Sequence, residues 1–116
     1  MEKVLIIEDE IDICLLLKSH LVKHDFEANY ELSLTRGLKT LEETHPDILI
    51  LDNNLGDGLG IECLPSIKIR YPKLKIIMIS AMSMLKNAAL SAGVHHFLKK
   101  PFSMNTLDKL LTQHEN

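Results

Sequence analysis

Four short apolar runs of this chain end at polar residues of the kinds that bind metal ions or transfer charged groups. These residues are Glu8 with Asp9, Asp52, Ser80 and Lys100. If the runs are parallel strands of one open sheet, their carboxyl ends share one edge, and three carboxylates, a hydroxyl and an ammonium meet in one crevice. This combination predicts a site for a divalent cation and a phosphoryl group.

The residues around these positions alternate between short apolar runs and apolar residues at helical spacing. The runs predict five strands, at residues 4–7, 26–31, 48–51, 76–79 and 97–98. Helical spacing predicts five helices, which begin near Ile11, Leu34, Ile61, Leu85 and Met104. Ser33 and Ser103 have side chains that helix N-caps prefer, and we expect Gly93 to close the fourth helix.

This alternation predicts an α/β fold with a doubly wound parallel sheet that has helices on both faces. With 116 residues, the chain is long enough for one core, and we expect a single domain over residues 1–116. Pro65 lies inside the third helical pattern. We therefore expect either a late helix start, with Pro65 in the first turn, or a kink.

Composition is typical of a globular protein and excludes several functions. Hydrophobic residues make up 46% of the chain and charged residues 25%, and a formal net charge of -3 gives no reason to bind nucleic acid. No apolar run is long enough to span a bilayer and the first residues do not resemble a signal peptide, so we expect a cytoplasmic protein without a membrane partner. Cys14 and Cys63 are too few for a disulfide framework and fit buried thiols.

A resemblance to a known family rests on four segments, which are IIEDE, PDILILDNNLGDGLG, IIMISA and AGVHHFLKKPF. In this order and at these spacings they resemble the receiver domains of two-component response regulators, the CheY-like family. The resemblance covers the whole chain and implies a flavodoxin-like (βα)5 fold with strand order 2-1-3-4-5. It also implies a protein that catalyses only its own phosphorylation and dephosphorylation, and is otherwise not an enzyme.

By this resemblance, Asp52 is the phosphoacceptor, which takes a phosphoryl group from a phosphohistidine. The implied cofactor is Mg²⁺, with Asp9 as a direct ligand and Glu8 acting through a bound water. The carboxylate of Asp52 and the backbone carbonyl of Asn54 are the other implied ligands, which suits a cation that keeps several waters.

Three further residues have roles implied by the resemblance. Lys100 corresponds to the lysine that pairs with the acceptor and then with the phosphoryl oxygens, and we expect a cis Lys100–Pro101 bond that aims it into the site. Ser80 corresponds to the hydroxyl that bonds the phosphoryl group after transfer. Phe97 corresponds to the aromatic residue that turns inward in response, so Ser80 and Phe97 are the implied switch.

The implied partners are a histidine kinase or a histidine phosphotransfer protein as phosphodonor. The signal would pass to a downstream protein target, or to an output domain that this chain lacks, and phosphorylation-dependent homodimerisation stays open. Two alternatives have other functions. A receiver-like module could bind proteins without phosphorylation, and a small phosphatase could use the same aspartate, although such enzymes need a second aspartate where this chain has Asn54.

The sequence departs from the family pattern in three places. Gly56 stands where a proline is common, which predicts a more mobile loop. The segment 80–93 is about two residues shorter than usual, which leaves the length of the fourth helix open. Met82 replaces a residue that is often polar, and we hypothesise that it slows hydrolysis of the phosphorylated form.

His20 and His24 have the i, i+4 spacing of a metal-binding pair on a helix. Their place near the predicted end of the first helix favours a different interpretation, in which their charge interacts with the helix dipole.

Overall fold

A five-stranded parallel sheet forms the centre of the computed structural model, which describes residues 1–112. Its strands are β1 (Lys3–Ile7), β2 (Glu27–Glu31), β3 (Ile48–Asp52), β4 (Lys75–Ser80) and β5 (His96–Lys99). They pair in the order β2-β1-β3-β4-β5, and every pair is parallel. The predicted fold class and strand order are therefore confirmed.

Helices cover both faces of this sheet. They are α1 (Ile11–Lys23), α2 (Leu34–Thr44), α3 (Gly60–Arg70), α4 (Lys86–Ser91) and α5 (Met104–Thr112). The side chains of α2, α3 and α4 pack into one core cluster, and those of α1 and α5 pack into a second cluster on the opposite face. Among residues 1–112, every helix is too short or too polar to serve as a membrane span.

The double covering explains why the sheet strands are so apolar. All five residues of β3 are buried, and so are the last four of β1 and the last five of β4. A strand that is covered on both faces has no solvent-facing side, and its sequence is a continuous apolar run. The polar residues at the carboxyl ends of these strands are thus held on a rigid support.

Two serines that were predicted as N-caps occupy those positions. Ser33 Oγ accepts a hydrogen bond from the Arg36 amide at 3.2 Å, and Ser103 Oγ accepts one from the Thr106 amide at 3.1 Å. Gly93 follows α4 with a φ of 107°, which favours glycine and closes that helix as expected.

Other helix details differ from the sequence-based expectations. Helix α3 begins at Gly60, five residues before Pro65, so a late start that places Pro65 in the first turn is wrong. Helix α4 has six residues and follows a separate 3₁₀ turn at Ser83–Leu85. In α1, apolar residues are not all buried: Leu15 and Leu16 are exposed, while Cys14, Leu17 and Leu21 face the core.

Gly60 is the first residue of α3 and lies close to the backbone at the end of β3. A Cβ atom at this position would lie 2.6 Å from the backbone oxygen of Asp52 and 3.0 Å from Leu51 Cγ. Backbone atoms cannot move aside as a flexible side chain can. The start of α3 therefore needs a glycine, and a larger residue would displace the strand end that carries Asp52.

We expect Gly60→Ala to lower the free energy of unfolding by about 1–3 kcal/mol, the usual cost of overpacking. Gly56→Ala is the matched control, because a Cβ atom at Gly56 meets nothing within 4 Å. Urea unfolding monitored by circular dichroism measures both variants. Equal midpoints for the two variants would contradict the close approach described above.

Candidate functional site

The predicted site residues converge at the carboxyl edge of the sheet. Asp52 and Ser80 are the last residues of β3 and β4, and they are 3% and 1% exposed. Glu8 follows β1 and is fully buried, while Asp9 beside it is exposed. Lys100 follows β5, and its bond to Pro101 is cis as expected.

The ammonium of Lys100 connects the carboxylates of this edge. Its Nζ lies 2.6 Å from Glu8 Oε1, 3.3 Å from Asp52 Oδ1 and 3.5 Å from Glu10 Oε2. The Lys100 side chain is only 17% exposed. Glu10 was not among the predicted site residues, so its contribution to the charge around Lys100 was missed.

Negative charge exceeds positive charge at this point. Glu8, Asp9 and Asp52 each offer a carboxylate oxygen, and these atoms all lie within 4.8 Å of one another. One ammonium cannot neutralise three carboxylates and the nearby Glu10. Hard divalent cations prefer oxygen ligands in such an arrangement, so the donor set fits Mg²⁺.

Burial changes the proton affinity of these groups. Loss of solvent raises the pKa of Glu8 from 4.5 to about 7, although the hydrogen bond from Lys100 opposes that rise. Burial likewise raises the pKa of Asp52 against the opposing effect of Lys100. Burial by itself would lower the pKa of Lys100, but contact with Glu8 and Asp52 outweighs it, and the pKa is raised. The Lys100 ammonium therefore stays charged, whereas it is unfavourable for Glu8 and Asp52 to be ionised at the same time.

A cavity of about 320 Å³ opens from this cluster to solvent. The residues that line it are Asp9, Glu10, Asp52, Asn54, Ser80, Ala81, Met82 and Lys100. At its rim, Asn54 Nδ2 lies 3.7 Å from Met82 Sδ. Both side chains are exposed, so they stand between the buried carboxylates and water.

The backbone also connects two of the predicted residues. The Lys100 amide donates to the Ser80 carbonyl at 2.9 Å. Ser80 Oγ accepts a hydrogen bond from the Met82 amide at 3.0 Å, which leaves the hydroxyl proton available as a donor.

Phe97, the second predicted switch residue, lies in β5. It is half-buried and packs against the core cluster beneath α2, α3 and α4. Phe97 pairs in register with Met78 of β4, which belongs to the same core cluster and lies two residues before Ser80. Because side chains alternate along a strand, Ser80, Met78 and Phe97 belong to the same face of the sheet.

Asn53 is a buried residue that sequence reasoning missed. Its Oδ1 accepts from the Ile61 amide at 2.9 Å, its carbonyl accepts from the Gly60 amide at 2.8 Å, and its amide donates to Ile79 at 3.1 Å. Its side-chain amide donates to Asn54 Oδ1 at 2.8 Å. Asn53 thus fixes the turn after Asp52 and the start of α3.

Asp57 was missed as well, although its position between two glycines is typical of a turn. Its carboxylate accepts hydrogen bonds from the amides of Leu34 and Thr35, both at 2.8 Å. Hydrogen bonds from Thr35 and Leu34 lower the pKa of Asp57 to about 2. The loop after β3 is thereby attached to the N-terminus of α2.

The chain is similar in sequence to proteins of one known family. The sequence model of a family described as "Response regulator receiver domain" matches residues 4–112. The KDP operon transcriptional regulatory protein KdpE of Escherichia coli is 36% identical over 113 residues, which cover 96% of this chain and 50% of KdpE. The chemotaxis protein CheY of Listeria monocytogenes is 34% identical over 106 residues, which cover 88% of each chain.

The fold has close counterparts among solved structures. Response regulator protein TrrA from Thermotoga maritima, solved in complex with Mg²⁺ and BeF, has a TM-score of 0.87, with 25% identity and 96% of each chain covered. The present chain spans half or less of the length of the first curated relatives that it matches.

The raised pKa of Glu8 predicts a pH dependence in the absence of divalent cations. A carboxyl that binds its proton more tightly when folded stabilises the fold below its unfolded pKa near 4.5, and this stabilisation is lost as the pH rises to about 7. We expect Glu8→Gln to remove about 3 kcal/mol of the fall in unfolding free energy over this range.

Urea unfolding at several pH values with a chelator present measures this slope. Glu10→Gln is the matched control, since Glu10 is exposed but contacts the same ammonium. Identical slopes for wild type and Glu8→Gln would show that this carboxyl does not titrate as described.

Proposed function

The chain belongs to the family of response regulator receiver domains, and on this premise we propose that Asp52 takes a phosphoryl group from a phosphohistidine. The observation that supports this most directly is the position of Asp52. Its carboxylate is buried at a strand end, 3.3 Å from the Lys100 ammonium, and it lines a cavity that opens to solvent. A nucleophile there is fixed in place and reachable by a donor.

The proposed step is a displacement at phosphorus. An oxygen of the Asp52 carboxylate forms the new bond to phosphorus while the bond from phosphorus to the donor imidazole breaks, and the imidazole leaves with that electron pair. Lys100 offers its positive charge to the phosphoryl oxygens as they arrive. Since its ammonium already contacts Asp52, little rearrangement is needed before transfer.

We propose that Mg²⁺ is held by Asp9, Asp52 and the backbone carbonyl of Asn54, with Glu8 acting through a water. The three neighbouring carboxylates support this assignment, and the related protein TrrA was solved with Mg²⁺ and BeF. When bound, the cation would offset the charge of the carboxylates and of the phosphoryl oxygens. Beyond this reaction on itself, the chain would act as a signalling module and not as an enzyme that turns over substrates.

We propose that Ser80 and Phe97 convert phosphorylation into a change of surface. Ser80 can donate its hydroxyl proton to a phosphoryl oxygen while it keeps the hydrogen bond from the Met82 amide. A shift of Ser80 changes the space next to β5, where Phe97 is half-buried. A phosphoryl group adds about -1.5 to -2 charges at one point, enough to bias such a local rearrangement.

The proposed partners follow from the same chemistry. A histidine kinase or a histidine phosphotransfer protein would supply the phosphoryl group. The response would pass to a downstream protein or to an output domain outside this chain, as the greater length of KdpE suggests.

The first test is phosphorylation by acetyl phosphate, a small donor that needs no kinase. We expect intact-mass spectrometry to detect one added phosphoryl group when Mg²⁺ is present and much less when it is chelated. Asp52→Ala should abolish the gain, because it removes the attacking oxygen.

The control for this test is Asp25→Asn, since Asp25 is exposed, lies outside the site and has a positive φ that asparagine tolerates. We expect the control to be phosphorylated like wild type. A gain of mass that persists in Asp52→Ala would place the acceptor elsewhere. No gain in wild type, with Mg²⁺ binding established separately, would favour a module that binds proteins without phosphorylation.

Met82, at the rim of the cavity, should affect how fast the phosphorylated protein loses its phosphoryl group. Met82 has one polar atom, its weakly accepting thioether sulfur, which lies 3.7 Å from Asn54 Nδ2 and is a poor group for orienting a water for attack. We expect Met82→Glu to dephosphorylate several-fold faster than wild type, because a carboxylate can bind and orient that water.

Phosphate release after removal of the donor gives this rate. Met84→Glu is the matched control, since Met84 is 80% exposed and does not line the cavity. A rate for Met82→Glu no faster than that of wild type would disprove the role assigned to Met82.

A further inference from the structure

A second group of metal-ligating side chains lies between α1 and α5, away from the carboxylates at the sheet edge. His20 Nε2 in α1 lies 2.6 Å from Asp108 Oδ1 in α5. His24, one turn after His20, places its ring centroid 4.4 Å from that of His20. His20 and Asp108 are 88 residues apart in the sequence, and the fold brings two imidazoles and a carboxylate together.

We propose that His20, His24 and Asp108 bind a divalent transition-metal ion, of which Zn²⁺ is the natural candidate. Each residue offers one ligand atom, and these three atoms all lie within 4.8 Å of one another. Tetrahedral Zn²⁺ with ligand bonds of roughly 2.0–2.2 Å needs ligand atoms about 3.3–3.6 Å apart. The ligand atoms of His20 and Asp108 must therefore move slightly apart. His24 must move closer to both, which its exposed position allows.

The ligand types separate this site from the one at the sheet edge. Imidazole nitrogen suits Zn²⁺, Ni²⁺ and Cu²⁺, whereas Mg²⁺ prefers oxygen ligands alone. A site with two imidazoles therefore selects a different ion from the three carboxylates around Asp52. With three protein ligands, one coordination position would remain for water or another donor.

A purely structural role accounts for only part of this arrangement. A hydrogen bond between His20 and Asp108 can attach α5 to α1 without a metal, and a charged His24 can interact with the end of helix α1. The i, i+4 spacing, however, also directs His24 toward the same point as His20 and Asp108. These two accounts differ in whether the connection between the helices depends on a metal ion.

The site would have a structural consequence if it binds a metal. The ion would connect α1 to α5, and α5 begins four residues after Lys100. A ligand that binds the folded protein and not the unfolded chain stabilises the fold, and the stabilisation grows with the logarithm of the ligand concentration above the dissociation constant. Metal binding should therefore raise the melting temperature and protect the amides of α5.

The test is a calorimetric titration of untagged protein with Zn²⁺ in the presence of saturating Mg²⁺, which occupies the acidic cluster. We expect one Zn²⁺ per chain. His24→Gln and Asp108→Asn should each weaken binding by roughly 100-fold or more, because even loss of an indirect partner of a metal ligand costs 10–100-fold.

His45→Asn is the matched control, because His45 is exposed at the end of α2 with a positive φ that asparagine tolerates. This variant should bind Zn²⁺ like wild type. Hydrogen exchange gives a second measurement, in which Zn²⁺ should slow exchange in α5 of wild type but not of His24→Gln. Absence of Zn²⁺ binding, or binding that both ligand variants leave unchanged, would overturn the proposal.

Discussion

The contact of one ammonium with two buried carboxylates is the interaction on which the edge of this sheet depends. Glu8 and Asp52 end neighbouring strands where almost no water reaches them, and burial alone would favour their neutral forms. The Lys100 ammonium lies 2.6 Å from Glu8 Oε1 and 3.3 Å from Asp52 Oδ1, so it opposes the effect of burial on both carboxylates. The compensation is incomplete, and a surplus of negative charge remains for a cation to offset.

The site combines buried residues, which the sheet holds in place, with exposed residues at the rim of the cavity. Strands β1 and β3 are covered on both faces, so the residues at their ends have little freedom to move. Asp9, Asn54 and Met82 lie around the cavity with their side chains toward solvent. Residues in exposed loops tolerate change better than buried ones. Substitutions among these exposed residues can therefore change the rate of dephosphorylation without disturbing the buried strand ends of β1 and β3.

The sequence was sufficient to predict the fold and the convergence of Glu8, Asp52, Ser80 and Lys100. Covered strands must be apolar throughout, and parallel strands must end on one edge, so both results follow from local patterns. Asn53 and Asp57 were not found, because their roles depend on which distant backbone amides they meet. The sequence also does not show which of the three consecutive leucines of α1 faces the core, and in the structure it is Leu17. The roles of the site residues stay predictions until they are measured.

The hydrogen bond from the Lys100 amide to the Ser80 carbonyl makes two parts of the site mechanically dependent on each other. If Ser80 moves, its carbonyl moves too, and the backbone that carries the ammonium must follow or lose a partner. The free-energy effects of substitutions in the two segments should therefore not add. In evolutionary terms, a lineage that alters one of these segments changes which substitutions the other can accept, so the two are expected to diverge together.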